Sequence, residues 1–195
     1  MDVYHGTISS CAENIIKNGI SLKKGKPRVD FGQGFYTTSS YKFAKSTAEN
    51  KAAKTNMHYG EELVFPSILK FHVDESIFRQ MNILEFKEEN IKWAQFIVNN
   101  RNGFEYMKDV NSHFHNLKQK FDIVIGSIAD NQISLLTNEL KMLKEKICND
   151  DLRNMKYTYH TNQVSFHTQR SLTCLDLFEC DIITQNKQKG VVVNE

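Results

Sequence analysis

Three short stretches carry residues able to do chemistry: YHGT at 4–7, DFGQGFYTT at 30–38 and TNQVSFHT at 161–168. The second raises a question by itself. In a chain with nine glycines, Gly32 and Gly34 stand directly before Phe35 and Tyr36. Glycine serves a turn through positive φ, or it lets backbone approach a ligand closely. The aromatic residues that follow offer a flat, electron-rich face. Other side chains rank below these three. HFH at 113–115 alternates two histidines with no third ligand at a suitable spacing, so no metal is expected. Arg28, ahead of the glycines, could meet a diphosphate. Asp130 and Asn131 follow FDIVIGSIA and either cap the next helix or contact substrate. His167 and Thr168 start a following helix, with the histidine a candidate to line the site.

Regular elements must hold these residues in place. A short strand ends at His5, and Ser9 or Ser10 caps the helix CAENIIKN, which stops at Gly19. GFYTT reads as a second strand, after which Ser39 or Ser40 caps a helix from Tyr41 to about Lys54. ELVFPSILKFHV is rich in β formers, and Pro66 suggests an edge or a bulge. Residues 75–118 read as mainly helical, with Ile91, Trp93, Ala94, Phe96 and Ile97 forming an apolar face. FDIVIG is a buried strand, and ISLLTNELKMLKEKI an amphipathic helix through Leu135, Leu136, Leu140 and Leu143. Strand QVSFH, a short helix near Thr168 and strand LDLFECDII close the chain. Strands do not alternate simply with helices, which predicts a mixed α+β fold rather than a doubly wound sheet.

Bulk properties set the frame. The 195 residues fit one domain, 1–195, with 40% hydrophobic and 25% charged residues and a net charge of +2. Such a balance argues against holding nucleic acid by bulk positive charge. The basic run Lys23, Lys24, Lys26 and Arg28 reads as a solvated loop. Cys11, Cys148, Cys174 and Cys180 show no C-x-x-C spacing, as expected of reduced thiols in a cytosolic protein. No signal peptide is visible, and no apolar run approaches the ~20 residues of a membrane helix. The expectation is a cytoplasmic protein with no membrane partner.

Taken together, YHGT, GQGFYTT and NQVSFHT resemble the ADP-ribosyltransferase superfamily, in the branch of poly(ADP-ribose) polymerases and diphtheria-like toxins. That branch sets His, Tyr and Glu on three separate strands. His5 matches the first element and Tyr36 the second, each with a helix behind it, and Gln163 stands where glutamate is usual. The resemblance covers roughly residues 1–73 and 120–183 and lapses over the helical stretch 75–118, which it implies is an insertion. DFGQGFYTT and FDIVIGSIAD look more specifically like a group of bacterial toxin or phage-defence proteins within that superfamily.

The resemblance implies a split mixed β-sheet core with flanking helices, NAD as substrate, and mono-ADP-ribosyl transfer to a protein or nucleic-acid acceptor. It implies that Tyr36 stacks on nicotinamide, that Gly6 pairs with the carboxamide through its backbone, and that His5 and Thr7 bond the adenosine ribose. Gly34 and Phe35 would lie against the dinucleotide, the glycines letting the loop close over it. Ala44 would leave room for nicotinamide, and Thr47 stands where the polymerases carry a second stacking aromatic. Gln163 can accept a hydrogen bond from the ribose but carries no charge and cannot act as a general base. One-unit transfer is therefore expected rather than chain extension. An inactive NAD- or ADP-ribose-binding module and an NAD glycohydrolase remain alternatives, and an antitoxin is an implied partner.

Overall fold

The computed structural model describes residues 1–60, 63–129, 131–153, 161–184 and 187–192. Along the chain run β1 (Asp2–Ile8), α1 (Ser9–Asn18), β2 (Phe35–Thr38), α2 (Tyr41–Tyr59), β3 (Pro66–Val73) and α3 (Glu75–Phe78). There follow β4 (Ile83–Glu85), α4 (Ile91–Asp109), β5 (Ile123–Ser127), α5 (Asn131–Leu143) and α6 (Asn149–Arg153). The chain then forms β6 (Asn162–Phe166), α7 (Gln169–Leu172), β7 (Leu175–Thr184) and β8 (Lys187–Val192). These elements fall into two compact units, one of Met1–Ser21, Tyr36–Met81 and Ser171–Glu195, the other of Leu22–Phe35 and Asn82–Arg170.

In the first unit the strands lie in the order β2, β1, β3, β7, β8, each pair antiparallel. β1 pairs with β3 along its whole length, from Asp2 opposite His72 to Ile8 opposite Pro66, but meets β2 only at Tyr4 opposite Thr38. Pro66 is the first residue of an interior strand, and the irregularity lies instead between Lys70 and Phe71. At a strand start proline forfeits little of the ladder, so it marks entry rather than an edge. α2 buries Ala44, Ala48 and Ala52, one per turn, and the first two pack with Ile68. Ser40 caps it, Oγ accepting from the Phe43 amide at 3.2 Å. The helix runs to Tyr59, beyond the expected Lys54, and ends at Gly60 in the left-handed region. α1 starts differently from expectation. Ile8 is its cap residue and no side chain caps it. Ser9 bonds both ways with Phe65 instead, its amide donating to the carbonyl at 2.8 Å and its Oγ accepting from the amide at 3.2 Å. Deeper in, Asp181, 2% exposed, takes Lys70 Nζ at 3.1 Å and the Tyr41 hydroxyl at 2.7 Å, so its buried charge is paired and hydrogen-bonded.

In the second unit β4 runs parallel to β5, and β5 antiparallel to β6. Parallel and antiparallel pairing with helices in irregular order make this an α+β fold with mixed strand directions, as the sequence predicts. Within 75–118, read from the sequence as mainly helical, the structure places β4 between α3 and α4, with Ile83 opposite Ile123. Phe86 and Phe96, with ring centroids 5.3 Å apart, lie at the middle of an aromatic core that includes Phe31, Phe114 and Phe121. α4 breaks at Gly103 (φ 83°), and a side chain there would meet the Arg28 guanidinium at 3.4 Å.

The apolar face of α5 also differs from the leucine pattern. Ile133, Thr137 and Leu140 are buried, spaced i, i+4 and i+7, while Leu135 is 72% and Leu143 55% exposed. The helix stops at Leu143, and Lys144 follows with φ 56°. Asp130 lies outside the described residues, and Asn131 begins α5. Cys174 and Cys180 are buried and Cys11 and Cys148 exposed, all four unbridged. Among the described residues no helix is long and apolar enough to cross a membrane. The α5 assignment is open to test by urea denaturation. Leu140→Ala is expected to cost ~2–5 kcal/mol through the cavity it leaves, and Leu135→Ala to stay within ~0.5 kcal/mol. Equal costs would place the buried face elsewhere.

Candidate functional site

β1 carries His5, Gly6 and Thr7 in succession, and β2 carries Phe35 and Tyr36. His5 and Tyr36, 31 residues apart in sequence, meet directly: His5 Nδ1 lies 2.7 Å from the Tyr36 carbonyl oxygen. A carbonyl only accepts, so the imidazole proton sits on Nδ1 and Nε2 is the acceptor nitrogen. Burial, and after it the Lys51 charge, push the His5 pKa down to about 3, against the opposing pull of the Tyr36 carbonyl. His5 is thus a neutral, oriented ring. Tyr36 and His5 are half-buried, whereas Thr7 is 5% and Phe35 7% exposed.

Gly6 owes its identity to α2. A Cβ at this position would lie 2.0 Å from the Ala44 carbonyl oxygen, inside any tolerable contact. Ala44 is 1% exposed and belongs to the cluster with Ala48 and Ile68, so the β1–α2 packing itself accounts for its small side chain. The Gly6 carbonyl accepts from Lys51 Nζ at 2.7 Å. A carbonyl has two lone pairs, so this bond leaves capacity for a second donor.

In the second unit the glycine pair of the 30–38 stretch has internal reasons that the sequence does not suggest. Gly32 has φ 90°, open to glycine and rare for other residues. A Cβ on Gly34 would lie 2.6 Å from His167 Nδ1 and 2.7 Å from the Phe166 carbonyl oxygen. The space over Gly34 is therefore filled by the protein's own ring. His167, fully buried, has Nδ1 2.9 Å from the Gln33 carbonyl oxygen and Nε2 2.8 Å from Ser165 Oγ. Burial lowers its pKa to about 4, opposed by the Gln33 carbonyl.

Gln163 sits on β6 opposite Gly126, 8% exposed. Its Nε2 donates to Asp30 Oδ2 at 3.1 Å, and Asp30 Oδ1 accepts from Arg101 Nε at 2.9 Å and Nη2 at 2.7 Å. Arg101 Nη1 in turn donates to Ser134 Oγ at 2.9 Å. Sequence reasoning misses both Asp30 and Arg101. Asp30 opens the very stretch that draws attention, but nothing local links it to a partner 71 residues on. An open concavity of about 900 Å³ in this unit, lined by Leu84, Phe86, Lys92 and Phe114 among others, contains none of the candidate residues.

The histidines give a pH dependence with a definite sign. Both folded pKa values lie below the ordinary 6.5, so protonation favours the unfolded chain. Their contribution is complete above about pH 6.5 and is lost as pH falls towards about 4 for His167 and about 3 for His5. Urea titrations at pH 7 and pH 5.5 should differ by about 2–3 kcal/mol for the pair, at ~1.4 kcal/mol per pH unit and group. Stability unchanged between the two would mean that the rings titrate alike in the folded and unfolded chains.

No curated protein and no solved structure matches the chain. A family model described as a protein of unknown function (DUF3990) matches residues 1–177, a stretch that includes His5, Tyr36 and Gln163, and the chain belongs to that family.

Proposed function

We propose that this protein is an NAD-dependent mono-ADP-ribosyltransferase, a cytoplasmic toxin or phage-defence effector that moves one ADP-ribose unit to a protein or nucleic-acid acceptor and is restrained by an antitoxin. The observation that carries the reading is the His5–Tyr36 bond. It supports a site in which the residues of YHGT and GQGFYTT act as neighbours, as the resemblance requires.

Breaking the nicotinamide–ribose bond develops positive charge on the ribose while the pyridinium becomes neutral. The Tyr36 ring favours bound pyridinium by stacking and cation–π attraction. The His5 tautomer makes Nε2 an acceptor for an adenosine-ribose hydroxyl, and Thr7 offers a hydroxyl beside it. Gly6 offers backbone groups to the carboxamide. Gln163 holds the nicotinamide ribose as a neutral acceptor, which stabilises developing charge less than a carboxylate does. A second reading, binding of NAD or ADP-ribose without turnover, is favoured by that same neutral amide.

Incubation with NAD labelled in the adenine moiety separates these readings. Label on a macromolecule is expected; free ADP-ribose would indicate a glycohydrolase, and binding without turnover a binding module. Tyr36→Ala should weaken NAD binding by ~1–2 kcal/mol, measured calorimetrically, and an unchanged affinity would remove Tyr36 from the site. Gln163→Ala should leave NAD bound while the rate falls about a hundred- to thousandfold. A full rate in this variant would take Gln163 out of the chemistry.

A further inference from the structure

We propose that Asp30 is a positioning residue for Gln163: it fixes the amide with its nitrogen end inward and Oε1 outward as the acceptor, and it makes glutamine rather than glutamate the fitting residue at 163. The inference rests on the reading of Gln163 as the ribose-contacting group.

An amide has two ends of similar size and opposite polarity. A carboxylate accepts only, so Asp30 can face the NH2 end of Gln163 but not its oxygen. Turning the amide over would set oxygen against oxygen at the present 3.1 Å. Asp30 cannot readily yield, because Arg101 grips Oδ1 with two N–H groups and is itself tied to Ser134. The side chains of Asp30 and Arg101 are 15% and 16% exposed, so the ion pair is poorly screened and its hold on geometry strong. Among the described residues, no donor faces Oε1 of Gln163, although the residue is 8% exposed. A buried acceptor without a donor is costly. A sugar hydroxyl supplies that donor.

Charge follows from the same arrangement. Glutamate at 163 would set a second carboxylate about 3 Å from the first, a juxtaposition in which both resist ionisation. The carboxylate usual in the wider superfamily would therefore be a liability in this chain unless position 30 changed too. Asp30→Asn combined with Gln163→Glu would restore one carboxylate, one amide and one guanidinium, with donor and acceptor exchanged.

The test uses the full chain in four forms: wild type, Asp30→Asn, Gln163→Glu and the double substitution. NAD consumption gives kcat and KM, and urea unfolding gives stability. Each single substitution should lower kcat about tenfold or more, in the range seen when an orienting partner is removed, with KM little changed. The double form should recover most of that loss, as a purely structural defect would not. Gln163→Glu faster than wild type, or a double form no better than Gln163→Glu, overturns the proposal. If wild type consumes no NAD, the transferase reading fails, and Asp30 is judged by unfolding and by exchange of the Gln163 side-chain amide protons. Positioning then predicts that Gln163→Glu destabilises a chain that keeps Asp30 but not one that already carries Asp30→Asn, and that slow amide exchange is lost in Asp30→Asn. Equal destabilisation in both backgrounds, or exchange unaltered by Asp30→Asn, overturns it.

Discussion

A side chain at residue 6 would strike the backbone of α2, and that lack of room organises the first unit. With hydrogen in place of Cβ, the helix lies against β1 at the Ala44 carbonyl. Ala44, Ala48 and Ala52 keep the approach close along three turns. Helix and strand at this distance bring Lys51 within reach of the Gly6 carbonyl and set its charge near His5. The neutral state of His5 is thus a product of packing and of the Lys51 charge, against its own hydrogen bond to the Tyr36 carbonyl, which fixes only the tautomer. Close packing of small residues, a hydrogen-bonded lysine and an oriented imidazole arise from one steric condition.

The second unit depends on buried polarity. Asp30, Arg101, Gln163 and Ser134 are linked by hydrogen bonds among largely buried side chains, as are Gln33, Ser165 and His167. Low dielectric strengthens such bonds and penalises any unmade one, so each network admits few arrangements. The aromatic core around Phe96 fills the volume of the unit, while these networks fix its polar geometry.

What can be read in the sequence is what is local. Gly19 stops α1 and Ser40 caps α2, because both act within four residues along the chain. Tyr36 and His5 are legible through short motifs whose flanking elements can be recognised. Ser9 misleads because its partner, Phe65, lies 56 residues further along the chain, just ahead of β3. Leu135 misleads because leucine content suggests a face that burial assigns to Ile133, Thr137 and Leu140. β4 goes unseen because three residues carry too little periodicity to identify a strand. Gly34 is legible as a constraint, but its reason, the His167 ring, lies far away in sequence. The Asp30–Arg101 pair has no local signature at all.

The partners of residues 30–34 also set an order of assembly. Asp30 waits for Arg101, 71 residues later, and for Gln163, 133 later; Gln33 waits for His167, 134 later. Contacts so distant in sequence form late and slowly, since long loops must close before they are rewarded. On a ribosome adding ~5–20 residues per second, the loop emerges well before the strand that completes it. The Asp30–Gln163 pair cannot exist until residue 163 has cleared the exit tunnel. A nascent chain released before that point carries the His5–Tyr36 pair without Gln163, and whatever chemistry requires Gln163 is closed to it.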